Sequence, residues 1–188
     1  GTIKPNKRLD LLLHAMSQIA PAHPDARLVV AGKPRETDVT EFLALSESLG
    51  LADRVIWRLQ FIDDAETPLY FCAADVIAFP YQWIYQSGAL LMAMSFGRPV
   101  IASAVGSNPE FIRHGETGLL FSPDSAEEIA RSLSSLLDVP AYAAAMGRAA
   151  AAYVERELSW DRIARQTFAF YEQVAGERGS LSSTPPTS

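Results

Sequence analysis

The stretch from Ala74 to Ala102, ADVIAFPYQWIYQSGALLMAMSFGRPVIA, constrains the fold more than any other part of the chain. Asp75 to Phe79 is a short run rich in β-formers that Pro80 stops, and Pro99 to Ala102 is a second run opened by a proline. Each reads as a strand. Between them Ala89, Leu90, Leu91, Ala93, Met94 and Phe96 make a dense apolar patch with no breaker before Gly97, which predicts a helix starting near Ser87 and closed by that glycine. Strand, helix, Gly-x-Pro and strand form a βαβ unit. Its polar loop at the carboxyl end of the first strand, here Tyr81 to Ser87, belongs in the crevice where open α/β sheets bind ligands.

The flanking sequence repeats the alternation. After the polar loop Lys4 to Arg8, the residues Leu9, Leu12, Leu13, Met16 and Ile19 recur at helical spacing, with Asn6 expected as N-cap and Pro21 as the stop. Arg27 to Gly32 predicts a strand, Phe42 to Leu49 a helix closed by Gly50, Val55 to Trp57 a strand, Pro68 to Ala74 a helix, and Leu119 to Phe121 a last short strand. The pattern then changes to helices over Asp124 to Leu137, Ala141 to Glu157 and Ser159 to Ala175, with Asp124 or Ser125 and Ser159 as caps. The fold class is therefore α/β, a Rossmann-like parallel sheet with helices on both faces. Residues 1–175 are expected to form one domain with its first strand truncated, because the opening residues read as the end of a strand in a piece of a longer protein. Residues 176–188, rich in Ser, Thr, Pro and Gly, are expected to be a disordered tail.

Composition narrows the classes of function. With 48% hydrophobic and 20% charged residues the chain is a folded globular one, and a net charge of -6 leaves no basic excess for nucleic acid or an anionic membrane, though a local basic pocket is compatible with it. A single cysteine, Cys72, excludes an internal disulfide and a cysteine-rich metal cluster and fits a reducing, cytoplasmic setting; its apolar surroundings predict burial in a helix. No apolar run reaches the ~20 residues of a membrane span. His14, His23 and His114 stand without a second ligand at metal spacing, and Asp63, Asp64, Glu127 and Glu128 read as helix-start charges.

The candidate chemistry lies at helix starts. Lys7 and Arg8 follow the inferred end of a first strand, where backbone amides already favour an anion, so Lys7 reads either as a point charge for a phosphate or as a solvated lysine. Gly32 and Lys33 are placed similarly at the end of the second strand. Gln86, Ser87 and Gly88 precede the buried helix, where Ser87 is an N-cap, a phosphate ligand, or both.

The series G-x-I-x-P-x-K-R-L-D (Gly1 to Asp10), L-V-V-A-G (Leu28 to Gly32), L-G-L-x-D-R-V (Leu49 to Val55), A-A-D-V-x-x-x-P (Ala73 to Pro80), A-M-x-F-G-R-P-V-I-A-S-x-V-G (Ala93 to Gly106), P-E-x-I-x-x-G-x-T-G-L-L (Pro109 to Leu120) and L-S-W-D-x-I-A (Leu158 to Ala164) resembles the C-terminal, donor-binding domain of GT-B fold glycosyltransferases of family 4. The resemblance implies retaining transfer of a sugar from a nucleoside-diphosphate sugar, normally with no metal ion. The acceptor would sit on an N-terminal domain that these residues do not include, and the protein would be cytoplasmic or peripheral to a membrane. It places Lys7 and Arg8, with Gln86, Ser87 and Gly88, at the donor diphosphate. Gly32, Lys33, Arg58, Leu59, Phe61, Ile84 and Met92 fall around base, ribose and sugar. Two departures stand out: the family's glutamate pair falls on Ile84 and Met92, and its arginine after the opening glycine is replaced by Thr2 and Ile3. A non-catalytic α/β module acting as an assembly partner is the alternative these departures support. The last helix, with Trp160, Ile163, Phe168, Phe170 and Tyr171, is expected to expose an apolar patch.

Overall fold

The computed structural model describes residues 1–181, with 176–181 as backbone only. The chain divides into two compact units, Gly1–Ala152 and Tyr153–Ser188.

In the first unit the strands and helices alternate as their patterns require. They are α1 (Leu9–Ile19), β1 (Leu28–Ala31), α2 (Val39–Ser48), β2 (Val55–Arg58), α3 (Thr67–Ala73), β3 (Ile77–Phe79), α4 (Gly88–Ser95), β4 (Val100–Ser103), α5 (Asn108–Phe111), β5 (Leu119–Phe121) and α6 (Ala126–Asp138). All strand pairs are parallel. β1 pairs with β2, and β4 lies between β3 and β5, with Ile77 opposite Val100 and Ser103 opposite Phe121. All four residues of β4 are buried, as a central strand covered on both faces must be. The expected single ladder is instead two parallel groups, β1-β2 and β3-β4-β5. What joins them is the opening segment. The Ile3 amide donates to Lys33 O and its carbonyl accepts from Arg35 N, while Asn6 O accepts from Gln82 N. Residues 3 to 6 thus stitch the end of β1 to the loop after β3 with an isolated bridge, Ile3 to Pro34, rather than a strand.

The core lies under α1 and α6. Leu12, Leu13, Met16 and Ile19 of α1 meet Ile129, Leu133 and Leu136 of α6 above Ile101, Leu119 and Phe121. Each such buried side chain contributes about 1.5 to 3 kcal/mol of transfer free energy. Arg8 pairs with Asp124 at the start of the two helices, and His23 Nε2 stands 3.5 Å from Asp138 at their other ends. The helices therefore run side by side in one direction.

Several helix ends follow the capping residues that the sequence offers. Ser87 and Ser125 accept from the third amide beyond, Leu90 and Glu128, and Gly50 and Gly97 take positive φ after α2 and α4. Asn6 is not a cap. Pro5–Lys7 forms a 3-10 turn, and Arg8, with φ 46, precedes α1. The Asn6 side chain reaches elsewhere, its Nδ2 donating to Trp83 O at 3.0 Å. Cys72 is exposed, against expectation. α3 is only seven residues long with none buried, and its inward contact is made by Phe71, stacked on Phe96 with ring centroids 5.3 Å apart.

Helix α7 (Pro140–Glu157) and helix α8 (Trp160–Leu181) complete the described chain. In the first unit, the backbone of Gly147 lies against Gly97, so closely that a Cβ at Gly147 would stand 2.1 Å from the Gly97 oxygen. In the second unit Ser159 Oγ accepts from Arg162 N, and Arg162 also pairs with Glu157 at 3.1 Å. Trp160 is 84% exposed, and Ile163, Phe168, Phe170 and Tyr171 are exposed too, as the sequence suggested. α8 runs past 175 to Leu181, so helical backbone occupies 176–181, where a disordered tail was expected. The rest of that expected tail, 182–188, lies outside the described residues.

Candidate functional site

Three segments converge in the first unit: the opening residues 3–8, and the loops 80–87 and 104–107 at the carboxyl ends of β3 and β4. This is where an open parallel sheet can present backbone amides and side chains to a ligand. The convergence is held by named bonds. Asn6 grips the 82–83 backbone from one side through Gln82 N and Trp83 O. Ser103, fully buried at the end of β4, donates its hydroxyl to Tyr81 O at 2.6 Å. The Ser107 amide donates to Tyr85 O at 3.2 Å, and Asn108, also fully buried, donates Nδ2 to Ser103 O at 3.0 Å. Gly106 completes the clasp with φ 53.

Within this frame Lys7 and Ser87 meet through Tyr81. The Lys7 ammonium sits over the Tyr81 ring, 5.5 Å from its centroid, and the Tyr81 hydroxyl is 3.4 Å from Ser87 Oγ. Tyr81 and Ser87 are buried. Burial, and then the charge of Lys4, hold Lys7 below the ordinary lysine pKa, while burial pushes the Tyr81 hydroxyl up against the opposing bond to Ser87. A lysine whose charge burial and the neighbouring Lys4 disfavour, beside a phenol that burial keeps protonated, makes a site that gains from an anion. Ser87 Oγ caps Leu90 N at 3.2 Å, and the first amides of α4, those of Gly88 and Ala89, precede that bond. At Gly88 the space is open, since a Cβ there would meet nothing within 4 Å. The positive end of the α4 dipole thus begins beside the Tyr81 hydroxyl, over whose ring Lys7 sits.

The other expected residues are placed differently. Arg8 is not aimed at this opening. Its guanidinium binds Asp10 through three contacts of 3.0 to 3.2 Å and also pairs with Asp124, tying α1 to the loop before α6. Gly32 and Arg58 adjoin one another, the Gly32 amide donating to Arg58 O at 3.0 Å, and exposed Lys33 borders Ile3 through its carbonyl. Leu59 is half-buried and Phe61 exposed beyond the end of β2. Gln86 is exposed beside Ser87. Ile84 is half-buried with its carbonyl turned on Gly106, and Met92 is exposed one helical turn past Gly88.

Sequence reasoning put Tyr81 in the ligand-binding loop without assigning it a role, read Asn6 as a cap, and missed Ser103. Only Tyr81 carried a signal, an aromatic hydroxyl directly after the proline that ends a strand. The other two act through backbone partners far along the chain, which no local pattern encodes.

Comparison with known proteins identifies the family and the fold. Residues 1–139 match the family model for glycosyl transferases group 1. The chain is 33% identical over 185 residues to a D-inositol 3-phosphate glycosyltransferase of Segniliparus rotundus, a match covering 97% of the chain and 40% of that protein. Among solved structures it is similar to sucrose-phosphate synthase from Thermosynechococcus elongatus, at TM-score 0.80 and 31% identity over 93% of the chain and 44% of that one. It is similar also to Anabaena HepE in complex with UDP and glucose, at TM-score 0.76 and 25% identity over 96% of the chain and 47% of that one. The chain thus spans less than half the length of these relatives.

Proposed function

This chain belongs to the group 1 glycosyltransferases, and on that premise we propose that it is the donor-binding domain of a retaining enzyme. That enzyme transfers a sugar from a nucleoside-diphosphate sugar to an acceptor held by an N-terminal domain outside these residues. The observation that carries the reading is the convergence of the Lys7 ammonium and Ser87 on one buried phenol, Tyr81, at the start of α4. As the bond from sugar to phosphate breaks, negative charge grows on the leaving diphosphate. A fixed cation and helix-start amides aimed at that charge stabilise the transition state more than the ground state. Gly32, Lys33 and the Arg58 to Phe61 segment lie next along the carboxyl ends of the strands, on the side where base and ribose would extend.

The test is a titration of UDP, GDP and ADP against the 188-residue chain. Saturable binding of at least one is expected, and Lys7→Ala should weaken it by about 1 to 3 kcal/mol, roughly ten- to a hundredfold. Absence of saturable binding, or unchanged affinity in the variant, overturns the reading. One observation favours a second reading, a non-catalytic module that assembles with a partner: Ile84 and Met92 offer a sugar no hydrogen-bonding side chain. Turnover by the full-length protein that disappears in Lys7→Ala decides against it.

A further inference from the structure

The loop that carries the site also presents two aromatic rings that no core requires. Trp83 is 59% exposed and Tyr85 88% exposed, and the rings meet edge-on with centroids 6.4 Å apart. Their backbone is not loose. Trp83 O is held by Asn6, Tyr85 O by the Ser107 amide, and Ile84 between them is clasped against Gly106. A braced loop that turns a tryptophan and a tyrosine to solvent leaves apolar surface uncovered without relieving any local strain, which marks a recognition surface. Exposed Gln82 and Gln86 flank the pair, so that, apart from the half-buried Ile84, the loop presents amide, indole, phenol and amide in turn before Ser87.

That alternation fits the chemistry of a pyranose ring. Such a ring has a flat face of C–H groups that packs on an aromatic plane, and a rim of hydroxyls that both donate and accept, as a carboxamide does. It also answers the deficit at Ile84 and Met92, which cannot hydrogen-bond a sugar. We propose that Trp83 and Tyr85 form a stacking platform for the hexose of the nucleotide sugar, with Gln82 and Gln86 reading its hydroxyls. The platform adjoins the Lys7 and Ser87 seat, so the proposal rests on the diphosphate reading above. Stacking rather than carboxylate contact then sets the sugar preference of this site.

The experiment compares UDP with UDP-glucose and UDP-N-acetylglucosamine, and GDP with GDP-mannose, by calorimetry on the 188-residue chain and on Trp83→Ala, Tyr85→Ala and Trp83→Phe. Both side chains are exposed, so the variants should fold, which far-ultraviolet circular dichroism checks. One sugar nucleotide should bind more tightly than its own diphosphate by about fivefold or more. Either alanine variant should erase that increment while leaving the affinity for the diphosphate itself unchanged, and Trp83→Phe should keep most of it. Diphosphate binding with no sugar increment, or an increment that survives both alanine variants, overturns the platform alone. Failure of every diphosphate to bind overturns the seat and the platform together. Maltose binding as tightly as the best sugar nucleotide would reassign the rings to a free saccharide and overturn the donor assignment.

Discussion

The α-carbon of Gly106 faces the carbonyl of Ile84 so closely that a β-carbon there would stand 1.7 Å from the oxygen. This contact locks the loop after β4 onto the loop before α4, with Gly106 at φ 53. Gly106→Ala must both displace the 84–85 backbone and hold an alanine in the left-handed region. It should lower stability by about 2 kcal/mol or more, seen as a fall of several degrees in melting temperature, and weaken nucleotide binding as the α4 start shifts. A variant that melts and binds like the parent would show that the two loops are not coupled.

Lys7 and Arg8 are neighbours in sequence, both expected at the diphosphate, yet the fold gives them different partners. Lys7 leans over Tyr81, whereas Arg8 is engaged by Asp10 and Asp124. Arg8→Ala should cost about 1 kcal/mol of stability and leave nucleotide affinity within about twofold, the reverse of Lys7→Ala. Parallel thermal melts and titrations on the two variants check this, and a large affinity loss in Arg8→Ala would place its guanidinium on the ligand instead.

The lowered pKa of Lys7 has a definite sign in linkage. Burial and Lys4 depress it in the folded state, so between the folded and unfolded values the unfolded chain holds more protons. This group's contribution therefore makes stability rise with pH through that alkaline window, and it is unfavourable below it. A bound diphosphate favours the charged form and raises the pKa again. Nucleotide binding measured at alkaline pH should then take up protons, seen as a binding enthalpy that varies with the buffer's heat of ionisation. Affinity should fall as pH climbs through the lowered Lys7 pKa. Lys7→Ala should abolish the buffer dependence, and its persistence in that variant would assign the proton to another group.

Two serines support Tyr81 from different sides. Ser87→Ala removes the cap on Leu90 N and should cost about 1 kcal/mol. Ser103→Ala strips the Tyr81 carbonyl of a fully buried donor and should cost about 1 to 3 kcal/mol. The larger loss in denaturant unfolding is expected for Ser103, and the reverse order would mean that the Tyr81 carbonyl finds another donor.

Much of this fold is legible in the chain. The apolar run before Pro80, the breaker-free patch up to Gly97 and the run after Pro99 placed β3, α4 and β4 within two residues of their observed bounds, and Leu119–Phe121 matches β5 as read. Ser87, Ser125 and Ser159 act as the caps their positions implied. These are local matters: periodicity, propensity and capping depend on residues a few positions apart. Lys7, Ser87 and Gly88 were also readable as helix-start residues, because an amide-rich helix end is a property of the segment itself.

What tertiary structure decided is which of these ends meet. Asn6 was read as a cap and instead grips Trp83. Arg8 was read with Lys7 and instead turns to Asp124. Cys72 was read as buried and lies exposed on a helix whose Phe71 stacks on Phe96. In each case the deciding partner is remote in sequence, and short-range pattern carries no information about it. Sequence by itself determined a parallel α/β architecture with anion-ready helix starts, because burial and backbone hydrogen bonding act on every segment alike. Only the docking of residues 3–6 between the ends of β1 and β3 brought Lys7 beside Tyr81 and Ser87, because long-range contacts are set by how remote segments align rather than by any segment alone.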